Sequence, residues 1–286
     1  MSMQSAFMGI IKAAETARAR EGLHENDFVG EDGLLYCGNC RTRRQMPLDI
    51  PCGIGRRIVP VMCKCEIERR EAEEAQKKAF EEQESIKRLR KVGITSDMYA
   101  GKTFAVDDGS DPKTGGIVRR YVEKRAEMQE KNIGLLFHGG TGGGKTFWAS
   151  CIANAMIDSG TSAMITTIPA LITAMQADFE ADKAHILEQI ANVRFLVLDD
   201  IGFERKTQYA AEKMFEIIDA RYRSGRPLIV TTNLSLEEIK NPESMEYQRV
   251  FDRIIEMCTP LHVSADGRRR MIARDKSEDA RRILGI

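Results

Sequence analysis

The chain has 286 residues, of which 42% are hydrophobic and 30% are charged. This length can bury one good-sized core plus a smaller module. Lys and Arg total 43, and Asp and Glu also total 43, so the formal net charge is zero. The chain as a whole therefore has no positive electrostatic field that would attract it to nucleic acid. No stretch approaches the ~18 apolar residues that span a bilayer. Residues 1–20 also lack the apolar run of a signal peptide. We expect a cytoplasmic protein without membrane contacts, whose seven cysteines are reduced.

Composition divides the chain into three zones. Residues 1–65 hold a candidate helix at 1–20, followed by a Gly-, Cys- and Arg-rich stretch with few periodic apolar positions. Residues 66–92 are a charged run with a thin apolar stripe, which predicts a solvated linker helix. Its favourable i,i+4 pairs are Glu73–Lys77, Glu74–Lys78 and Glu84–Arg88. From residue 93 onward, short apolar runs alternate with helical segments, which predicts an α/β domain over residues 93–286.

The alternating segments of this third zone follow one another in a regular order. Strands are predicted at 133–138, 163–166, 194–198, 227–231 and 261–263, and helices at 147–159, 169–180 and 208–223. The first four runs lack polar alternation, so we expect both faces of the sheet to be buried. The resulting prediction is a parallel sheet with helices on both faces.

A glycine-rich loop follows the first of these strands. It reads Gly139-Gly140-Thr141-Gly142-Gly143-Gly144-Lys145-Thr146 and fits the pattern G-x-x-x-x-G-K-[ST] in full. Glycines let successive N–H groups point at phosphates, and the helix that follows adds its positive dipole end. Lys145 is predicted to reach the β- and γ-phosphates of ATP, and the Thr146 hydroxyl to bind Mg²⁺. The alternative, a chance match, is disfavoured by the strand before the loop and the helix after it.

Polar residues end the next two apolar strands. Asp199 and Asp200 follow one strand, and ligands of open α/β sheets bind at the carboxyl ends of strands. We expect Asp199 to hold Mg²⁺ through a water, and Asp200 to orient or deprotonate the attacking water. The alternative is a strand that ends in an acidic turn. Asn233, which ends the run Thr231–Asn233, either senses the γ-phosphate or belongs to a simple strand-to-turn transition.

Two close pairs of cysteines bracket a stretch of 22 residues. The four are Cys37, Cys40, Cys63 and Cys65. This spacing predicts a tetrahedral Zn²⁺ site, and the metal would supply folding energy that the few apolar residues of 37–65 cannot. Cys52 is a spare ligand candidate and His24 an alternative one. The other interpretation is four unrelated reduced thiols.

The same cysteine-containing stretch is locally basic. Its basic residues are Arg41, Arg43, Arg44, Arg56, Arg57 and Lys64. Only one acidic residue, Asp49, stands against them within residues 37–65. Such a patch suits an acidic protein surface or nucleic acid.

Taken together, these motifs resemble an AAA+ ATPase of the DnaC/DnaI helicase-loader family, to which the transposition helper IstB is related. The matching segments lie within residues 93–275 and are Gly139–Thr146, Leu198–Gly202, Ile218–Tyr222, Thr231–Asn233 and Arg249–Ile254. The resemblance implies a sheet core without a helical lid. One departure is the Asp199–Asp200 pair, because many AAA+ enzymes carry Asp-Glu there. The shorter side chain puts the role of Asp200 as catalytic base in question.

The resemblance also implies roles for polar residues outside the loop. Asn233 becomes the sensor-1 residue. Arg253 becomes the arginine finger that reaches the ATP of a neighbouring subunit, with Arg249 as the second candidate. A finger acting in trans makes hydrolysis depend on self-association into a ring or spiral. The alternative for both arginines is a solvated helix face.

For function, the resemblance implies ATP-dependent loading of a replicative hexameric DNA helicase onto single-stranded DNA, with Mg²⁺-dependent hydrolysis. It also implies that the N-terminal zinc module contacts the helicase. Candidate DNA contacts, each with a structural alternative, are Thr167, Phe203, Lys206 and Tyr209. The rival functions are an IstB-like transposition helper ATPase and a nucleotide-gated adaptor that binds ATP without turnover.

Overall fold

A computed structural model describes residues 26–50, 55–177, 180–202, 207–242, 244–264 and 268–285. The chain divides into two compact units, Met1–Glu81 and Glu82–Ile286. Some sequence candidates lie outside the described residues, namely the helix at 1–20, His24, Cys52, Phe203 and Lys206. Among the described helices, none is long and apolar enough to cross a bilayer.

The first unit contains two small antiparallel hairpins. Strand β1 (Phe28–Val29) pairs with β2 (Leu35–Tyr36), and β3 (Gln45–Ile50) pairs with β4 (Gly55–Pro60). The buried hydrophobic residues described in this unit are Leu34, Cys37 and Cys63. The described residues of this unit thus bury little apolar surface.

A long helix, α1 (Lys64–Gly93), begins in the first unit and ends in the second. It coincides with the helix predicted at residues 66–92. Its described ion pairs differ from the predicted ones and include Arg69–Glu66 at 2.9 Å and Lys87–Glu84 at 2.7 Å. Such exposed pairs stabilise a helix only slightly. Within the second unit, Ile86 and Leu89 pack against the core.

The second unit is built on a five-stranded parallel sheet. Its strands are β5 (Gly134–His138), β6 (Ala163–Thr167), β7 (Phe195–Ile201), β8 (Leu228–Thr232) and β9 (Cys258–His262). The strand order is β6-β7-β8-β5-β9, and all pairings are parallel. Every residue of β5 and β8 is buried. The expectation drawn from the absence of polar alternation is confirmed for these strands, whereas β6, at the edge of the sheet, is only half-buried at Met164, Thr166 and Thr167.

Helices cover both faces of this sheet. The helices that follow α1 in the chain are α2 (Asp97–Ala100), α3 (Pro112–Glu123), α4 (Arg125–Glu130), α5 (Lys145–Asp158), α6 (Ile168–Ala177), α7 (Glu180–Asn192), α8 (Gln208–Arg223), α9 (Leu236–Lys240), α10 (Met245–Met257) and α11 (Arg268–Leu284), and the described side chains of α11 are exposed. Successive residues of β7 join different apolar clusters: Leu196 packs with residues of α8 and α10, and Val197 with residues of α3 and α5. The predicted α/β fold with helices on both faces is confirmed.

A fully buried arginine ties the loops at the amino ends of the strands. Arg221 of α8 donates hydrogen bonds to the carbonyls of Ile190, Val193 and Arg194, at 2.7–2.9 Å. It also donates to the carbonyl of Pro227, just before β8. Burial lowers the pKa of Arg221 to about 9, which leaves the guanidinium charged at neutral pH. These four acceptors offset the cost of burying the charge. Arg221 therefore connects the segments that lead into β7 and β8.

Candidate functional site

The glycine-rich loop joins β5 to α5 at the carboxyl end of the sheet. Gly139, Gly142 and Gly144 have φ angles of 129°, 92° and 93°, a region that disfavours side chains. A Cβ at Gly143 would lie 2.4 Å from the Ser264 carbonyl oxygen, so that position has no room for one. Backbone angle and close packing thus both require glycine in this loop.

Lys145, the first residue of α5, is 7% exposed and lies within the loop. Its Nζ donates to the carbonyls of Gly139 at 2.8 Å and Gly140 at 2.7 Å. The same Nζ donates to Oδ1 of Asn233 at 2.8 Å. The ammonium group is therefore held where it can meet an anionic ligand of the loop, and it contacts the polar residue that follows β8.

The two adjacent aspartates of β7 have different surroundings. Asp199 is 4% exposed, and its Oδ1 accepts a hydrogen bond from the Thr231 hydroxyl at 2.6 Å. Its Oδ2 accepts from the Tyr99 hydroxyl at 3.2 Å. Asp200 is more exposed, and its Oδ1 accepts from the Asn233 side-chain amide at 2.9 Å. Asn233 therefore bridges Lys145 and Asp200.

Loop, aspartates and Asn233 line one cleft of about 420 Å³. Its lining includes the predicted residues Gly142, Gly144, Lys145, Thr146, Asp199, Asp200 and Asn233. The volume falls in the range of small-molecule sites. The Thr146 hydroxyl and the Asp199 carboxylate are the oxygen ligands that Mg²⁺ prefers, and the loop amides suit phosphate. The residues present therefore fit a nucleotide with its magnesium ion.

Sequence reasoning missed part of this cleft. Met98, Lys102 and Phe147 also line it. Tyr99 contacts Asp199 from the core. The pKa of its phenol is raised, mainly because the phenol is buried and to a lesser degree because Asp199 is negatively charged. The phenol therefore keeps its proton and remains a donor. No local pattern marks Tyr99, because its partner is 100 residues away in the chain.

Both arginine-finger candidates lie on α10, and neither lines the cleft. Arg253 forms an ion pair with Asp219 of α8. Its guanidinium also stacks over Phe215, 4.4 Å from the ring centroid, and lies 5.3 Å from that of Tyr222. Arg253 thus joins α10 to α8 of its own chain, whereas Arg249 is exposed. The finger role concerns a neighbouring subunit and stays a prediction.

The four cysteine sulfurs of the first unit lie within 4.8 Å of one another. The Cys63 and Cys65 sulfurs are 3.3 Å apart, and those of Cys37 and Cys65 are 3.5 Å apart. All four are free thiols. A tetrahedral site with Zn–S bonds of ~2.3 Å has sulfurs ~3.8 Å apart. The cluster therefore has the size of such a site.

The proton affinities of the four thiols differ within the cluster. The sulfurs of Cys63 and Cys37 raise the pKa of Cys65 to about 12. A hydrogen bond with the Thr42 hydroxyl is the main cause that lowers the pKa of Cys40 to about 5. Four thiolates this close repel one another, so they need a divalent cation to ionise together. The donor set fits Zn²⁺.

Several predicted surface contacts have structural partners. The Thr167 hydroxyl accepts a hydrogen bond from the Ala170 N–H at 3.3 Å, and the Tyr209 hydroxyl accepts one from the Gln176 side-chain amide at 3.1 Å.

The cysteine-containing stretch is less basic in its surroundings than the count over residues 37–65 indicated. Arg44 forms a buried ion pair with Asp27, at 2.8 Å, and Arg43 pairs with Asp32. Asp27 and Asp32 both precede residue 37, so they are not among the acidic residues of the stretch 37–65.

The chain is similar in sequence to known ATP-binding proteins and helicase loaders. The sequence profile described as "IstB-like ATP binding protein" matches residues 75–277. The replicative helicase loader DnaC of Escherichia coli (strain K12) is 31% identical over 139 residues, which are 48% of this chain and 54% of that protein. The replicative helicase loader DnaI of Bacillus subtilis (strain 168) is 24% identical over 206 residues, covering 68% of this chain and 66% of DnaI.

A solved structure extends the comparison to the fold. The crystal structure of the DnaC helicase loader superposes with a TM-score of 0.52 at 26% identity, over 59% of this chain and 99% of that one. The chain spans about half the length of the DnaC relative that it matches by sequence. The matched residues 75–277 include the glycine-rich loop, both aspartates and Asn233. This chain belongs to the IstB-like ATP-binding protein family.

Proposed function

We propose that this protein is an ATP-dependent loader that places a replicative hexameric DNA helicase on single-stranded DNA at replication initiation. The observation that carries the proposal is the cleft in which the glycine-rich loop faces Asp199 and Asn233. Support comes from relatives named replicative helicase loaders and from the fold shared with DnaC. The helicase, the DNA and self-association are parts of this proposal.

We assign Mg²⁺-dependent ATP hydrolysis to the residues of the cleft. Lys145 and the loop amides bind the phosphates, and Thr146 and Asp199 hold the magnesium ion. When bound, Mg²⁺ neutralises charge that develops on the transferred phosphoryl group. Asp200, which Asn233 orients, accepts the proton of the attacking water. Phosphate charge is stabilised further by an arginine of a neighbouring subunit, for which Arg253 is the first candidate.

The remaining regions divide the other tasks. Residues 1–65 form a Zn²⁺ module that contacts the helicase, held by Cys37, Cys40, Cys63 and Cys65. Residues 66–92 are the linker, and residues 93–286 the ATPase domain. DNA binding relies on local phosphate contacts, because the net charge of the chain is zero. It should therefore weaken as salt concentration rises.

A second function has specific support, because the matching family profile carries the name of IstB. A transposition helper would use the same ATP cleft but would engage a transposase and duplex DNA. An adaptor that binds ATP without turnover is the rival from another class. Steady-state phosphate release, in the presence of partner and DNA, separates that adaptor from an enzyme.

Co-purification separates the loader from the transposition helper. The full chain would be mixed with a replicative hexameric helicase or with a transposase, each with ATP and Mg²⁺ and again without nucleotide. We expect the helicase to be retained with the chain, because relatives at 24–31% identity are named replicative helicase loaders. Retention of the transposase, with the helicase passing through, would contradict the loader and favour the helper.

A further inference from the structure

A short segment of the chain lies between α1 and the cleft. We call residues 94–104 the strap. It begins at Ile94, which forms an isolated parallel bridge with Ile165 of β6. Its helix α2 starts after Ser96, whose hydroxyl accepts a hydrogen bond from the Met98 N–H. Met98 and Lys102 line the cleft, whereas Tyr99 is 5% exposed and joins the core.

Tyr99 supplies one of two hydrogen bonds that fix the Asp199 carboxylate. Its hydroxyl donates to Oδ2 at 3.2 Å, and the Thr231 hydroxyl donates to Oδ1 at 2.6 Å. Each oxygen thus has its own donor, and the two donors come from different elements, the strap and β8. With both bonds present, the carboxylate plane cannot rotate without losing one of them.

The strap itself is anchored independently of the cleft. Asn154 of α5 is 1% exposed, and its side-chain amide donates to the carbonyls of Tyr99 at 2.9 Å and Lys102 at 3.0 Å. Its Oδ1 accepts from Arg90 of α1 at 2.7 Å. Buried networks of this kind hold their members in one arrangement. The Tyr99 hydroxyl is therefore presented to Asp199 by a rigid support.

We propose that Tyr99 is a positioning residue for the magnesium-binding carboxylate of Asp199. The inference rests on the proposed ATP function, because it concerns the same cleft. Partners that orient a metal ligand typically change metal affinity by ~10–100-fold when they are removed. Tyr99 does not reach the nucleotide in this role. Because Tyr99 orients the carboxylate, loss of its hydroxyl should weaken Mg²⁺ binding and leave phosphate binding by the glycine-rich loop unchanged.

The test uses Tyr99→Phe in the full chain, which removes only the hydroxyl. Equilibrium binding of a fluorescent ATP analogue is measured in EDTA and then across a Mg²⁺ titration. We expect unchanged affinity in EDTA and a roughly 10-fold or greater rise in the Mg²⁺ concentration that gives half the metal-dependent effect. Tyr121→Phe is the matched control. Its hydroxyl, in the same apolar cluster, donates to the Ile133 carbonyl at 2.8 Å.

The outcomes distinguish a failure of the Tyr99 proposal from a failure of the proposed ATP function. A wild-type Mg²⁺ response in Tyr99→Phe overturns the inference and leaves the ATP site standing. Equal losses with and without Mg²⁺ overturn it as well, since the hydroxyl would then serve the whole nucleotide site. So does an equal shift in Tyr121→Phe, which would indicate general loosening of the core. If the wild-type chain shows no Mg²⁺-dependent binding, both the proposed function and the inference fail.

Discussion

At the scale of single residues, two neighbouring carboxylates are given different environments. Asp200 has a φ of 59°, which is uncommon for a residue with a side chain, and the pairing of β7 with β8 shifts register between Leu198 and Ile201. Strained backbone of this kind concentrates at functional sites. Asp199 is left buried between two hydroxyl donors, and Asp200 is turned toward Asn233. The separation suits a metal ligand beside a group that handles water.

The arginine-finger proposal is tested by Arg253→Ala. We expect ATP binding to persist and phosphate release to fall by ~10³-fold or more, because a finger stabilises charge that develops in the transition state. Loss of the Asp219 ion pair should also lower the free energy of unfolding by about 2 kcal/mol. Mixing this variant with Asp200→Asn should restore some activity if the finger acts in trans.

Arg249→Ala is the comparison variant, since Arg249 lies exposed on the same helix. It should melt at the wild-type temperature. Destabilised Arg253→Ala with wild-type phosphate release would contradict the proposal. Arg253 would then serve only to join α10 to α8, and Arg249 would become the finger candidate.

Motifs explain which residues of the cleft were predictable. The loop and Asp199 carry local patterns, a glycine spacing and an acidic end to an apolar strand, so they could be found by reading along the chain. The strap residues Tyr99 and Lys102 have no such pattern. They reach the cleft only because α5 and the sheet position them there, through contacts such as that of Asn154 with both of their carbonyls.

At the scale of elements, buried strands were easier to predict than exposed ones. β5 to β8 were located within a few residues, because continuous apolar runs mark them. β9 was predicted at 261–263 but runs over Cys258–His262. It is an edge strand with Thr259 and Pro260 exposed, and proline is tolerated there. β1 and β2 have two residues each, too few for any periodicity.

Helices were located less completely. The helix predicted at 169–180 is α6, Ile168–Ala177, and α7 follows it as a separate helix that was not predicted. The amphipathic helices α3 and α10 were also missed. Their buried residues nevertheless recur at helical spacing, as Val250, Phe251, Ile254 and Met257 do in α10, so the sequence carries a helical signal there.

The cysteine cluster leads to a prediction at the same scale. The wild-type chain should contain about one zinc ion, as expected for a Cys₄ site, and Cys37→Ser should lose it. Because the described part of the first unit buries few apolar side chains, its residues should then become sensitive to protease. Elemental analysis and limited proteolysis measure both effects.

Cys258→Ser serves as the control for this experiment. Cys258 is buried in β9 and donates to the Leu228 carbonyl at 3.1 Å, away from the cluster. It should retain the zinc ion. Zinc that persists in Cys37→Ser, or a wild-type chain purified under reducing conditions without metal, would contradict the assignment.

At the scale of the whole molecule, the proposed function needs two separate sites, a nucleotide cleft and a metal-binding cysteine cluster. The second unit provides a phosphate-binding loop, a buried aspartate and a polar residue in one cleft. The first provides a thiol cluster, and its described residues bury few apolar side chains. Every proposed role of the ATPase depends on ATP and Mg²⁺ entering that cleft, whichever macromolecule the chain serves.

The measurement that tests this claim most directly is equilibrium binding of ATP, with Mg²⁺, to the wild-type chain, to Lys145→Ala and to Lys131→Ala. Lys131 is an exposed lysine paired with Glu127, so its variant carries the same change outside the cleft. We predict that wild type and Lys131→Ala bind alike, and that Lys145→Ala loses roughly 100-fold or more in affinity, as expected for losing a charge-assisted contact to phosphate. Binding by Lys145→Ala at the wild-type affinity would contradict the account.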